Sequence, residues 1–297
     1  MDDILVQADN LVKIYKTKDI EVVALQGFDL TVREHEFMAI IGNSGSGKST
    51  FLNMLGGLDR PSAGKLFVDG KNLFTMTDKE LVTYKCSTVG FVWQNNARNL
   101  LPYLSAIENI MVPMNFVKTK KKRERALELL DLVGMSHRKN NRLYEMSGGE
   151  QQRIAIAIAL ANSPKVLLAD EPTGSVDSKT SNYIFDLFRK LNEEYKQTII
   201  IVTHDMALSK KVQRVAAIRD GKVSSEKILK EDYSERLKEA GSQVFEGLSS
   251  QDTQEEYAVL DRTGRIQLPR EMLSSIGIED NKVKLEVRDG KIIVEKP

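Results

Sequence analysis

"GNSGSGKST", Gly42 to Thr50, is the stretch that decides how this chain folds. It fits G-x-x-x-x-G-K-S/T, follows the apolar run "FMAII" (Phe37–Ile41) and leads into "STFLNMLGGL", a helix-forming segment. Strand, glycine loop and helix in that order are the context in which this pattern makes a phosphate-binding loop. Gly42, Gly45 and Gly47 let the backbone turn its N–H groups inward around an anion. Lys48 is expected to bring a point charge to the β- and γ-phosphates, and Ser49 a hydroxyl to Mg2+. Asn43, Ser44, Ser46 and Thr50 complete the stretch expected to contact nucleotide.

Three more short apolar runs end at polar residues. "VGFVW" (Val89–Trp93) ends at Gln94, "VLLA" (Val166–Ala169) at Asp170 and Glu171, and "TIIIVT" (Thr198–Thr203) at His204. They are too short and too uniformly apolar for half-exposed strands, so they read as buried strands of a mostly parallel sheet. Amphipathic helical patterns separate them: "KELVTYKC", "RERALELLDLVG" and "SNYIFDLFRKLNEEYKQ". The result is an α/β pattern with its site at the C-terminal ends of the strands. The earlier segment "DILVQADNLVKIYKTKDIEVVALQGFDLTVREHE" alternates instead and predicts an antiparallel β layer. "VAAIRDGKVSSEK" predicts a hairpin turning at Asp220–Gly221.

The strand ends carry the chemistry. Asp170 is expected to hold Mg2+ through a water, and Glu171 to orient or deprotonate an attacking water. Two carboxylates at the end of a buried strand are costly unless something compensates them, which argues against a merely acidic helix start. His204 is expected beside Glu171 and the γ-phosphate as a polar clamp. Gln94 is placed to reach Mg2+ or the water. A second glycine-rich helix start, "MSGGEQQR" (Met146–Arg153), is also of the kind that holds an anion.

Composition narrows the class. The 297 residues suffice for one large domain or a medium domain with an appendage. A net charge of +1 gives no global field toward nucleic acid or anionic lipid. The lone Cys86 excludes an intrachain disulfide and fits a reducing compartment. "MDDILVQADN" has no apolar core of a signal peptide. No run approaches the ~18–20 apolar residues a spanning helix needs. Work at a membrane would therefore require another chain to supply the spanning part.

Taken in order, the glycine loop, Gln94, "MSGGEQQR", "VLLADEPTG", "SVD" and His204 resemble the nucleotide-binding subunit of an ABC (ATP-binding cassette) transporter. The resemblance covers residues 3–228 and implies a P-loop NTPase fold: a mostly parallel core sheet, an antiparallel β layer and a helical subdomain. It implies an ATPase using ATP and Mg2+. It matches Tyr15 to the aromatic that stacks on adenine, and Gln94 to the loop that couples the ATP site to the membrane partner. Ser147, Gly148 and Gly149 match the signature loop, Asp177 the D-loop and His204 the switch histidine. It also implies a head-to-tail homodimer, in which each ATP lies between the glycine loop of one copy and the signature helix start of the other. That accounts for two phosphate-grade helix starts in one chain. The partners so implied are a second copy and a transmembrane permease, at the cytoplasmic face of the membrane. "NLLPYLSAIENIMVPM", "MSGGEQQR" and "DEPTGSVDSKT" are similar to the lipoprotein-release, macrolide-efflux and peptide-resistance group. Two departures stand out: Ile158 where that group has Arg, and Ser-Val-Asp at the D-loop.

Three segments are expected: an ATP-binding domain over 1–228, a polar linker over 229–253, and a small domain over 254–297. "LDRTGRIQLPREMLSSIGIEDNKVKLEVRDGKIIVE" resembles the swapped-hairpin fold of AbrB-type regulators, in which two chains interlock. It predicts a turn at Thr263–Gly264, a strand ending at Pro269, a short helix and a hairpin around Asp289–Gly290. A domain this small is near the lower limit for folding alone, so a dimerisation role is expected. Nearly balanced acids and bases disfavour DNA, whose affinity rests on phosphate neutralisation. Arg262, Arg265 and Arg270 keep the alternative open, a nucleotide-gated regulator binding DNA. The basic run Lys118–Arg125 has no interleaved aromatics and reads as a solvated helix start.

Overall fold

The computed structural model describes residues 4–16, 20–94, 99–117, 119–205, 209–230, 233, 253–260, 264–266, 268, 270–278 and 283–296. Most of the expected linker lies outside the described residues, as do Lys118, Arg262, Thr263 and Pro269.

Two sheets build the larger unit. The first is antiparallel and contains β1 (Ile4–Lys16), β2 (Glu21–Arg33), β4 (Ala63–Val68) and β5 (Lys71–Asn72) in the order β2-β1-β4-β5. This is the alternating segment of the sequence, together with the hairpin that follows the first helix. The second sheet holds β3 (Phe37–Ile41), β6 (Val89–Val92), β7 (Val166–Asp170), β8 (Thr198–Val202), β9 (Arg214–Arg219), β10 (Lys222–Leu229) and β11 (Gln254–Ala258). Its order is β11-β10-β9-β3-β8-β7-β6. Pairing is parallel from β9 through β3, β8 and β7 to β6, and antiparallel between β9 and β10. Every residue of β3 and β8 is buried, as expected for strands covered on both faces.

Helices supply that cover. They are α1 (Lys48–Leu55), α2 (Asp78–Ser87), α3 (Ala106–Met111), α4 (Lys122–Leu132), α5 (Gly148–Ala159) and α6 (Ser178–Tyr195). One continuous core joins Ile199 and Leu167 of the sheet to Phe185 and Phe188 of α6, and onward to Ile154 of α5, Leu129 of α4 and Ile107 of α3. The helical region is thus anchored in the same core as the strands that carry the site. A tilted Phe28–Phe51 pair, 4.4 Å between ring centroids, fixes the antiparallel layer to α1.

Register levels the strand ends. Ile40 pairs Val202, Asp170 pairs Val202, and Val92 pairs Ala169. The loops after β3, β6, β7 and β8 therefore leave the sheet along one edge. The turn between β9 and β10 has Asp220 at φ 49° and Gly221 at φ 73°, the two-residue geometry expected of Asp-Gly.

The chain divides into two compact units, Met1–Glu256 and Tyr257–Pro297. Residues 254–256 therefore lie with the larger unit, at the edge of its second sheet. In the smaller unit Leu260 bridges Ile266, α7 (Arg270–Ser275) follows, and β12 (Lys284–Arg288) pairs antiparallel with β13 (Lys291–Glu295). Its turn is again Asp-Gly, with Asp289 at φ 51° and Gly290 at φ 73°.

Arg214 at the start of β9 locks the two sheets together. Its guanidinium donates to the Thr31 carbonyl on β2 (2.9 Å), to Glu36 (3.1 Å) and through Nε to Glu226 on β10 (3.0 Å). Burial alone would lower its pKa, but Glu226 and Glu36 outweigh that and raise it. Replacing Arg214 with Met leaves two half-buried carboxylates without their cation. Arg214→Met is expected to cost about 3 kcal/mol, read as a lower urea midpoint at unchanged m-value.

Candidate nucleotide site

The glycine loop is shaped by what crowds it. A Cβ on Gly42, at φ 154°, would sit 2.3 Å from the Ile218 carbonyl, and one on Gly47, at φ 106°, 2.6 Å from the Ala24 carbonyl. Only glycine fits between these backbones, so β9 and β2 press the loop into its turn. Gly221 tightens it from the side: its N–H donates to the Ser46 carbonyl (3.1 Å), and its own carbonyl accepts from Gln26 N–H (3.1 Å). Gly47 is the N-cap of α1, so the free N–H groups of that helix start face the loop.

Lys48 is buried at the centre of this turn. Its Nζ donates to the carbonyls of Gly42 (2.7 Å) and Asn43 (2.9 Å). Burial lowers its pKa, while Glu171 and Asp170 act the other way. Ser49 Oγ donates to Asp170 Oδ1 at 3.2 Å, which joins the helix start to the end of β7. Beyond it Glu171 adopts φ 47°, a left-handed backbone that costs energy in a non-glycine residue and collects at functional sites. Its Oε2 lies 2.9 Å from His204 Nδ1 and accepts the His204 backbone N–H at 3.3 Å. The Glu171 side chain is 15% exposed and the His204 side chain 72%. The carboxylate is thus held inside while the ring stands at the mouth.

These groups face one cavity of about 420 Å3. Its walls include Gly42, Ser44, Gly45, Gly47, Lys48, Ser49 and Thr50 from the loop, Gln94, Glu171 and His204 from three other strand ends, and Val22 to Ala24 from β2. Gln94 reaches toward the turn after Glu171: its Nε2 lies 3.0 Å from where a Cβ on Gly174 would be. Among the described residues no group of three or more His, Cys, Asp and Glu could cage a metal. A hydroxyl–carboxylate pair beside a phosphate cradle is nonetheless the donor set Mg2+ takes, because that ion keeps waters and phosphate oxygens in its shell. Ser49 and Asp170 fit it.

Other expected site residues lie outside this cavity. Tyr15 sits beside it, paired in register with Val22. Its ring is 39% exposed, and its phenol donates to Asp59 Oδ2 at 2.7 Å. Ser147 is the N-cap of α5, where its Oγ accepts the Glu150 N–H (3.3 Å) and Glu150 Oε2 accepts the Ser147 N–H (2.8 Å). Arg138 Nε holds the same carboxylate at 3.0 Å. Hydrogen bonds from the Ser147 backbone N–H first, and Arg138 as well, keep the Glu150 carboxyl below the usual carboxylate range. Asp177 caps α6 by accepting from Thr180 N (3.0 Å) and Thr180 Oγ1 (2.7 Å). The site of a Cβ on Gly149 is 2.5 Å from Thr180 Cγ2, so the signature turn and the Asp177 turn touch within one chain.

Sequence reasoning missed Lys13, Asp59, Arg138 and the Gly221 buttress. Lys13 did carry a signal: strand alternation puts it on the face of β1 that buries Leu11, and a charge there demands a partner.

Known proteins bear on this geometry. Residues 25–174 match the ABC transporter family model, a span containing the glycine loop, Gln94, Ser147 and both strand-end carboxylates. An ABC transporter ATP-binding protein of Thermotoga maritima is 46% identical over 213 residues, covering 71% of this chain and 90% of that protein. A second, MJ0796 of Methanocaldococcus jannaschii, is 40% identical over 232 residues, covering 76% and 98%. The macrolide export ATP-binding/permease protein MacB of Syntrophobacter fumaroxidans is 42% identical over 226 residues, 75% of this chain but 31% of that longer protein. The dimeric, post-hydrolysis structure of the archaeal cassette bound to ADP and Pi superposes with a TM-score of 0.70 and covers 76% of this chain and 99% of that one. Nearly the whole of two cassettes is therefore matched by the unit that builds the cavity, and the chain belongs to the ABC transporter ATP-binding family.

Proposed function

We propose that this ATPase drives a separate transmembrane permease of the export or force-transmitting type, working as a head-to-tail pair at the cytoplasmic face of a membrane. The observation that carries the hydrolytic role is the meeting of Lys48, Ser49, Gln94, Glu171 and His204 around one cavity, from four different strand ends. No helix among the described residues is long and apolar enough to cross a membrane, and in this reading the spanning part is the permease's. The MacB relative, an ATP-binding/permease protein, supports an export partner.

In this reading ATP lies with its phosphates on the loop N–H groups and the α1 start. Lys48 moves from the Gly42 and Asn43 carbonyls to the β- and γ-phosphates. Ser49 and Asp170 would hold Mg2+, which would supply charge neutralisation at the phosphates. Glu171 accepts a proton from, or orients, the attacking water, and His204 pins the carboxylate. Gln94 links that carboxylate's turn to the permease side. Ser147 acts across the dimer. Because its oxygen already accepts the Glu150 N–H, its hydroxyl proton stays free to donate to a phosphate oxygen, alongside Gly148, Gly149 and the helix dipole. Asp177 sits at the same interface. Losing the γ-phosphate then lets the pair open.

The tail serves as a dimer clip of the AbrB-like kind. Register puts Leu285 and Val287 of β12 on one face with Val294 and Ile292 of β13. Leu285 is 65%, Val287 76% and Ile292 75% exposed, while Ile278 is the only buried residue described in that unit. An apolar hairpin face this open is covered most simply by the same face of a second copy. The DNA-binding alternative rests on Arg262, Arg265 and Arg270 alone.

Glu171→Gln is expected to cut ATP hydrolysis by about 10²–10⁴-fold while sparing ATP binding, measured by phosphate release and nucleotide titration. Full activity in that variant removes Glu171 as the base. Ser147→Ala should lower turnover by about tenfold or more, the effect of one charge-assisted hydrogen bond, with nucleotide affinity of the monomer unchanged. Deleting residues after 256 should weaken nucleotide-free dimerisation by sedimentation yet leave ADP affinity intact. A truncated chain that stays equally dimeric refutes the clip.

A further inference from the structure

The polar cluster beside the cavity has no part in phosphate chemistry, yet it is built with care around one ring. Lys13 is buried in β1, and its ammonium forms an ion pair with Asp59 Oδ1 and donates to the Arg60 carbonyl at 2.9 Å. The other Asp59 oxygen, Oδ2, accepts the Tyr15 phenol at 2.7 Å. The Arg60 backbone N–H donates to Oδ1 at 2.8 Å. The Lys13 ammonium also stands over the Tyr15 ring, 4.7 Å from its centroid. Asp59 itself lies just beyond the end of α1 (Lys48–Leu55), the helix that begins at the phosphate cradle. The ring is thus tied, through Asp59, to the segment that leaves that helix.

We infer that Asp59 and Lys13 are positioning residues for nucleotide binding: acting through the Tyr15 phenol, they fix the ring as a base platform at a set distance from the phosphate loop. This rests on the reading of Tyr15 as the residue that stacks on adenine. Three constraints follow from the geometry. The phenol is anchored at its far end by Asp59, which restrains the ring from swinging. Lys13 occupies one face, which leaves the opposite face for a stacked base. The cradle opens α1 and the anchor follows its end, so base and phosphates are registered against one segment, which lowers the ordering cost of binding.

The charges keep this arrangement intact at neutral pH. Burial raises the Tyr15 phenol, and the hydrogen bond to Asp59 raises it further, so it remains a donor. Burial would raise the Asp59 carboxyl too, but the hydrogen bonds from Lys13, Tyr15 and the Arg60 N–H win and hold it below the usual range. A group of that kind contributes fully above its ordinary range and is lost as pH falls through its folded value, so the platform holds at neutral pH and loosens only in acid.

The test compares two ligands on the full chain: ADP, which has a base, and pyrophosphate, which reaches only the cradle. Tyr15→Leu removes the ring and should weaken ADP about tenfold, the loss of one stacked base, leaving pyrophosphate unchanged. Tyr15→Phe keeps the ring and cuts its anchor, and should weaken ADP about fivefold. Asp59→Asn should match it. Both carboxylate oxygens are already claimed, so the amide offers the phenol no acceptor. The double variant should be no worse than either single one, since both break the same link. Equal weakening of ADP and pyrophosphate in Asp59→Asn makes Asp59 merely structural and overturns the inference. So does full ADP affinity in both Tyr15→Phe and Asp59→Asn when Tyr15→Leu is impaired. Unchanged ADP affinity in Tyr15→Leu sinks the underlying reading of Tyr15 instead. If Asp59→Asn fails to fold, Tyr15→Phe alone decides, because it disturbs no buried charge.

Discussion

Parallel pairing of β3 with β8 and β9 is the constraint on which the rest of the molecule depends. Strands buried on both faces run in one direction and stop at one level, so whatever follows them gathers along one edge. The glycine loop, Gln94, the two carboxylates and His204 come from positions far apart in the chain, yet this pairing makes them neighbours. It also decides the loop's shape. Ile218 on β9 presents the carbonyl that forbids a side chain at Gly42, so the cradle is moulded by the neighbouring strand as much as by its own residues.

Helix starts are used twice in different ways. At α1 the cap is Gly47, which brings no side chain and leaves the N–H groups to an anion. At α5 the cap is Ser147 in a reciprocal box with Glu150, steadied by Arg138. The first start is open within its own chain. The second has its cap box satisfied internally, and its serine still has a hydroxyl proton to offer outward with the helix dipole. That difference fits the head-to-tail pairing proposed above. The contact of Gly149 with Thr180, and of Thr180 with Asp177, joins the start of α5 to the turn following Glu171.

Much of this was legible in the residues. Uniform apolar runs of four to six residues announced the parallel strands, and polar residues at their ends announced the site, because burial and spacing are local properties. Asp-Gly turns were equally plain. What stayed hidden depended on distant partners. Asp59 lies 46 residues from Lys13, in a loop with no pattern of its own, and only the fold brings them together. Sequence alone puts "QEEYA", the last strand of the main sheet, at the start of the small domain. An edge strand pairs through its backbone and need not be apolar, so its side chains carried no sign of where it belongs.

That edge strand has a consequence for the health of the folded chain. β10 would otherwise present a free row of N–H and C=O groups, a template on which stray strands of other molecules pair and polymerise. β11 occupies that row and brings Glu256 against Ser225 (3.2 Å) and Lys227 (3.5 Å). Glu255, exposed on the other face of the strand, adds a charge at the new rim that discourages stacking. A chain clipped by a protease ahead of this strand would keep the residues that line its nucleotide cavity and lose its guard against aggregation.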